Sequence, residues 1–181
     1  NVSKPTHRIP VEAAQLTKKT KAVEAEVPTD ALYKAYKMPA KLAEGYLEAD
    51  LITDVIGFGK SSLLEQTLVK NGKFFAAVGT YILGSVDPGL LIFSGKMESG
   101  VTAEEAEQAL DEVVSKFLTS EISDHSLQKV KNQGEAMKTY ESIQVLNRAM
   151  NLANYAQLGN PDLYYEEFEN KSTIKGDEIM T

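Results

Sequence analysis

The tripeptide Asp87-Pro88-Gly89 separates two apolar runs, 74–83 and 90–97, and it narrows the possible folds more than any other feature. Proline presets the backbone of a turn and glycine accepts conformations that other residues resist, so the tripeptide reverses the chain. The flanking runs are rich in Val, Ile, Leu and aromatic residues and read as strands. Joined by a loop at 84–89, they predict an antiparallel hairpin. The continuous apolar character of 74–83 predicts a strand buried in its sheet.

Other strands and helices follow from periodicity. Val23, Ala25 and Val27 alternate with Glu24 and Glu26, which predicts a strand at 21–27 with one wet face. Pro28-Thr29-Asp30 is a turn, and 32–38 reads as a second strand stopped by Pro39. Leu47, Leu51 and Val55 fall on one face of a helix at 41–56, with Ala43 and Tyr46 beside it, closed by Gly57 and Gly59. Ser62 and Glu65 have capping-box spacing for a helix that buries Leu64, Leu68 and Val69, and Asn71-Gly72 supplies a left-handed stop.

After the hairpin, Thr102 and Glu105 form a second capping box. Ala106, Leu110, Val113, Val114 and Phe117 make that helix's apolar stripe. Ser123 caps a long helix carrying Leu127, Val130, Met137, Tyr140, Ile143, Leu146 and Met150, with a kink expected at Gly134. Gly159 and Pro161 end it; 162–170 reads as a short helix, and 177–180 as the start of another. Adjacent strands with short connections give a mainly antiparallel sheet. A strand wet on one face requires helices on the other only. The expected fold is therefore α+β, a two-layer sandwich with helices on one face of the sheet.

Residues 1–17, with Pro5 and Pro10, read as a linker or lead-in, and 18–181 as a single domain of a longer chain. The formal charge of −7, from 19 basic and 26 acidic residues, argues against nucleic acid as a partner. No apolar stretch reaches the roughly 20 residues of a membrane span. Without cysteine there is no disulfide framework, thiol catalysis or cysteine-ligated zinc, and the compartment stays open, because oxidising compartments also hold cysteine-free proteins.

Candidate chemistry is sparse. His7 and His125 lie far apart, and a zinc site needs three protein ligands and an open position, so no metal-binding residue is assigned. The segment Gly57-Phe58-Gly59-Lys60-Ser61-Ser62 looks in part like a phosphate loop. It lacks the glycine spacing and follows a helix rather than a strand, so a helix–helix connection is the better reading. The carboxylate pairs Glu104-Glu105 and Asp111-Glu112 are sequence neighbours that cannot face each other on a helix, as acid/base work requires. In Tyr164-Tyr165-Glu166-Glu167 the tyrosines read as packing or contact residues. No catalytic and no cofactor-binding residue is assigned.

Five segments in order resemble the non-catalytic second domain of pitrilysin/insulinase-like zinc metallopeptidases, a family that includes the mitochondrial processing peptidase. The segments are 32–39, ending in Pro39; 50–59, ending in Gly57-Phe58-Gly59; 61–70, similar to the family's Ser-Ser-Arg-Leu helix; 87–95; and 126–132, similar to its Glu-Leu-x-Lys-x-Lys helix. The resemblance covers about 18–175.

It implies a zinc endopeptidase whose His-x-x-Glu-His motif lies in an upstream domain, with this domain closing a chamber around a peptide substrate. Zinc would be the cofactor of that upstream domain and not of this chain, which has no such motif. The implied partners are that domain, in the same chain or a paired subunit, and the peptide. In some members the second domain lends an arginine and, seven residues later, a tyrosine to the substrate. Here Leu63 replaces the arginine of Ser-Ser-Arg-Leu, and the pair's positions fall on Val69 and on Phe75 or Ala76. The alternative is a structural or docking subunit of an inactive homologue.

Overall fold

The computed structural model of the protein describes residues 12–179. The first eleven residues, with Pro5, His7 and Pro10, and Met180 at the far end lie outside the described residues. The elements run β1 (Ala31–Met38), α1 (Tyr46–Gly57), a π-helix (Glu65–Asn71), β2 (Phe75–Leu83), β3 (Gly89–Met97), α2 (Ala103–Leu118), α3 (Asp124–Ile143), α4 (Val145–Gln157), α5 (Leu163–Thr173) and α6 (Gly176–Ile179). The three strands form one antiparallel sheet in the order β1-β3-β2.

The hairpin forms around Asp87-Pro88-Gly89, but the central strand is β3, and β2 is an edge with much of its length exposed. The expectation of a buried strand at 74–83 is corrected accordingly. One side of β2 packs on helices, while Tyr81 and Leu83 face the other way into the open. The strand expected at 21–27 is also absent: residues 21–27 have no regular structure and are exposed, Val23 at 74%. Alternation alone makes no strand when no neighbour takes its backbone hydrogen bonds.

α1, the π-helix and α2 cover the face of the sheet that carries Leu32, Val78, Leu91 and Phe93. Their shared core includes Ile56, Leu64, Leu68, Phe75, Met97, Leu110 and Phe117, all buried. Helices on one face of a mainly antiparallel sheet give the two-layer α+β fold. Gly57 at the end of α1 sits against Thr80 of β2, where any Cβ would collide with the threonine side chain.

Helix boundaries follow the capping chemistry. Thr102 and Glu105 close a full capping box: Thr102 N donates to the Glu105 carboxylate at 2.9 Å, and Glu105 N to Thr102 Oγ1 at 3.3 Å. At Ser62 only half the box forms, because the Glu65 carboxylate pairs with Lys60 at 2.8 Å instead. The following turn is π rather than α, and Gly72 N reaches back five residues to Thr67 O at 2.8 Å. Gly72 is right-handed (φ −85°) and Lys73 takes the positive φ of 53°, so the left-handed stop lies one or two residues later than expected.

α1 starts at Tyr46, not at residue 41, because Gly45 (φ 84°) breaks the helical run before it. The long final helix is two helices. They part at Gln144 (φ −84°, ψ 112°), while Gly134 lies inside α3 without a break. Met137, Tyr140, Ile143, Leu146 and Met150 are exposed rather than packed inward. Only Leu127 and Val130 of α3 are buried, in a second cluster with Leu51, Ile174 and Ile179.

Candidate functional site

Antiparallel register sorts the sheet's side chains into two faces, since residues opposite each other project to the same side. Across β1, β3 and β2, one set of rows is Tyr33–Ser94–Gly79, Ala35–Ile92–Tyr81 and Lys37–Leu90–Leu83. The alternate rows hold Leu32, Phe93 and Val78, which meet the helices. The first set therefore lines the face those helices leave uncovered. Ile92 is buried at its centre, with Tyr33 (68% exposed), Tyr81 and Leu83 (53%) around it. Lys37 and Lys96 stand at its two ends. Among the described residues no helix covers this apolar and aromatic face, and Lys37 at one end meets Glu12 at 3.0 Å and donates to Ala13 O at 3.2 Å; such a face is an interaction surface in chemical character. Both flanking strands, β1 and β2, are also edges that can accept a further extended segment.

The covered face carries one charge. Lys34 pairs with Asp111 and, at 3.4 Å, with Glu107 on α2. Burial works against its charge, but the two carboxylates outweigh it and hold its pKa above the ordinary lysine value. Glu107 also takes Lys18 from the irregular lead-in, and its pKa is lowered, chiefly by that bond.

The positions singled out in the sequence do not assemble into a catalytic centre. Leu63 is partly exposed, Val69 packs against the sheet–helix core, and Phe75 is buried in it. Ala76 is exposed at the irregularity where β2 shifts register between Phe75 and Ala77. None of these side chains can hydrogen-bond a peptide.

The 57–62 loop connects α1 to the π-helix. Its Lys60 is committed to Glu65, its Ser61 accepts from Lys129 at 2.8 Å, and its Ser62 caps the next turn. His125 is exposed in the first turn of α3. Among the described residues no group of three or more His, Cys, Asp or Glu could hold a metal ion, so the residues present do not fit a zinc site. Of the acidic clusters, Glu105 caps α2, Asp111 meets Lys34, and Glu167 accepts from Tyr155. The open face left little trace in the sequence. Its only signal was that Tyr33, Ala35 and Lys37 alternate with Leu32, Lys34 and Tyr36, and nothing in one strand says which set meets helices.

Comparison with known proteins gives this geometry a context. The family model described as the peptidase M16 inactive domain matches residues 2–133. No curated protein sequence matches the chain. Among solved structures, the inactive peptidase domain of a protein assigned as a zinc protease in Bordetella parapertussis superposes with a TM-score of 0.77 at 18% identity. That match covers 86% of this chain and 83% of the other. A protease from Helicobacter pylori gives a TM-score of 0.80 at 18% identity, over 87% of this chain but 38% of that one. A chain of complex III2 from Candida albicans gives 0.64 at 14% identity, over 87% and 40%.

At these identities the likeness is one of fold, and the chain spans well under half of the Helicobacter and Candida proteins. The matching model is that of the inactive domain, so the zinc chemistry of these proteases belongs to another domain. With the family model covering most of its length and the same fold in zinc-protease domains, this chain belongs to the peptidase M16 family as one of its inactive, non-catalytic domains.

Proposed function

We propose that the chain is the chamber-closing, substrate-contacting second domain of a pitrilysin/insulinase-like zinc endopeptidase, with zinc and its ligands in a partner domain of the same chain or a paired subunit. The observation that carries this reading is the uncovered sheet face of Tyr33, Tyr81, Leu83, Leu90 and Ile92 on an inactive peptidase domain. Zinc-bound water does the chemistry in such an enzyme, but a long substrate must also be held in register beside it. A second wall supplies apolar contact and keeps bulk water out.

The test assays this domain, the zinc-bearing domain and the two joined on one unstructured peptide. This domain alone should be inert, and the joined pair should cleave faster than the zinc-bearing domain by at least about ten-fold, a change typical of lost positioning. Cleavage by this domain alone, or full activity of the zinc-bearing domain without it, overturns the reading.

A second reading is favoured by Val69 and by Phe75 or Ala76, the positions on which the resemblance places the arginine and tyrosine that some family members lend to substrate. In that reading the parent is a structural or docking subunit. A joined pair that binds zinc yet leaves every peptide intact would select it.

A further inference from the structure

Between α1, α3, α4 and α5 lies a cleft of about 670 Å³. Much of its wall comes from residues after 133, where the family match ends. That volume suits a small ligand or the end of a peptide. Most charges along the wall are already engaged. Lys171 bridges Asp50 at 2.6 Å and Asp54 at 2.9 Å. Lys41 faces Glu167 at 3.6 Å, and Tyr155 donates to the same carboxylate. Lys131 donates to the carbonyls of Ser172 and Ile174.

Lys138 differs from these. Its ammonium donates once, to Tyr164 O at 3.1 Å, and forms no ion pair among the described residues. It sits 4.5 Å from the ring centre of Phe168 and 4.9 Å from that of Tyr164. An ammonium has three donors, so two remain for a ligand. Burial lowers its pKa, against the pull of Glu167 and Glu169. On the same cleft, Asn151 and Asn154 make no side-chain hydrogen bond among the described residues. The buried Tyr164 hydroxyl also has no hydrogen-bond partner among the described residues. Phe58 and Met137 add exposed apolar surface.

We propose that this cleft binds a single carboxylate carried on an apolar body, as at the C-terminal residue of a peptide, with Lys138 receiving the carboxylate. A structural clasp for α5 would explain the carbonyl bond and the ring contacts of Lys138. It leaves the two spare donors of Lys138, the side-chain amides of Asn151 and Asn154 on the same cleft and the Tyr164 hydroxyl without a role. A phosphate dianion fits less well, because the cleft's five carboxylates outnumber its four lysines and repel a second negative charge. The site is independent of the open sheet face, and either assignment can fail without the other.

The test is an NMR titration of the folded chain with N-acetylphenylalanine, its amide and inorganic phosphate. The acid should bind saturably and shift the resonances of Lys138, Asn151 and Asn154. The amide and phosphate should bind at least about ten-fold more weakly, the loss expected when a charge-assisted bond is removed. Lys138→Met should weaken the acid by a similar factor, with circular dichroism confirming the fold. Met137→Ser, at an exposed position, should weaken it by roughly three-fold through lost apolar contact. Equal binding of acid and amide, phosphate binding as tight as the acid, or no saturable binding overturns the proposal. If Lys138→Met fails to fold, unchanged affinity in Met137→Ser overturns it as well.

Discussion

The sheet–helix half and the helical half of this domain are held together by different forces. In the first, Leu64, Leu68, Phe75, Phe93 and Leu110 interlock into one dry core between the sheet and the helices α1, π and α2. In the second, the buried apolar cluster is small, and charged side chains tie the helices: Lys171 to Asp50 and Asp54, Lys131 to the carbonyls at the end of α5, and Lys138 to Tyr164. Apolar burial is non-directional and strong, so it fixes the fold of the first half. Ion pairs on partly exposed helices are weaker and directional, so they set helix positions while leaving a polar cleft between them.

The largest effect should come from the dry core. Leu110→Ala removes a fully enclosed side chain and is expected to cost about 2–5 kcal/mol in urea unfolding followed by circular dichroism. A loss below about 1 kcal/mol would erase the contrast between the halves.

Next is Lys171→Met, which strands two neighbouring carboxylates. Its expected cost is roughly 1–3 kcal/mol, discounted for partial exposure. Burial opposes the Lys171 charge, but Asp50 and Asp54 outweigh it and raise its pKa above the ordinary 10.5. A lysine whose folded pKa is raised stabilises fully below its unfolded value and loses that contribution as pH climbs through the folded one. The stability gap between the protein and Lys171→Met should therefore stay constant at neutral pH and narrow above pH 10.5. A gap that widens there would contradict the assignment.

Removing a cap should do less. Thr102→Ala opens the capping box of α2 and is expected to cost about 1 kcal/mol in the same unfolding assay. No change would show that core contacts alone hold the start of α2.

The smallest stability effect belongs to the uncovered face. Tyr33→Thr should leave unfolding within about 0.5 kcal/mol, because its side chain touches no core. In the joined protease the same change should slow peptide cleavage several-fold if that face holds substrate. A stability loss as large as that of Leu110→Ala would mean the face is covered.

The elements with both a period and a punctuation mark were legible in the sequence: the hairpin, α2 with its capping box, the start of α3 at Ser123, and the stop of β1 at Pro39. Val23, Ala25 and Val27 alternate just as clearly and form no strand, since strand formation needs a partner that lies elsewhere in the fold. Gly134 stays helical while the break falls at Gln144, a residue with no local signal for it.

The lack of a His-x-x-Glu-His motif is a property of the sequence itself, which holds no cysteine and sets His125 far from His7. The open face and the cleft are not. Each brings together residues far apart in the chain, such as Tyr33 with Tyr81 or Lys171 with Asp50. Sequence alone set what is local: period, caps, turns and the absence of a His-x-x-Glu-His motif. Tertiary structure decided which strand is central, which face the helices leave bare and which lysines meet a carboxylate, because those depend on distant segments competing for the same surface and the same charges.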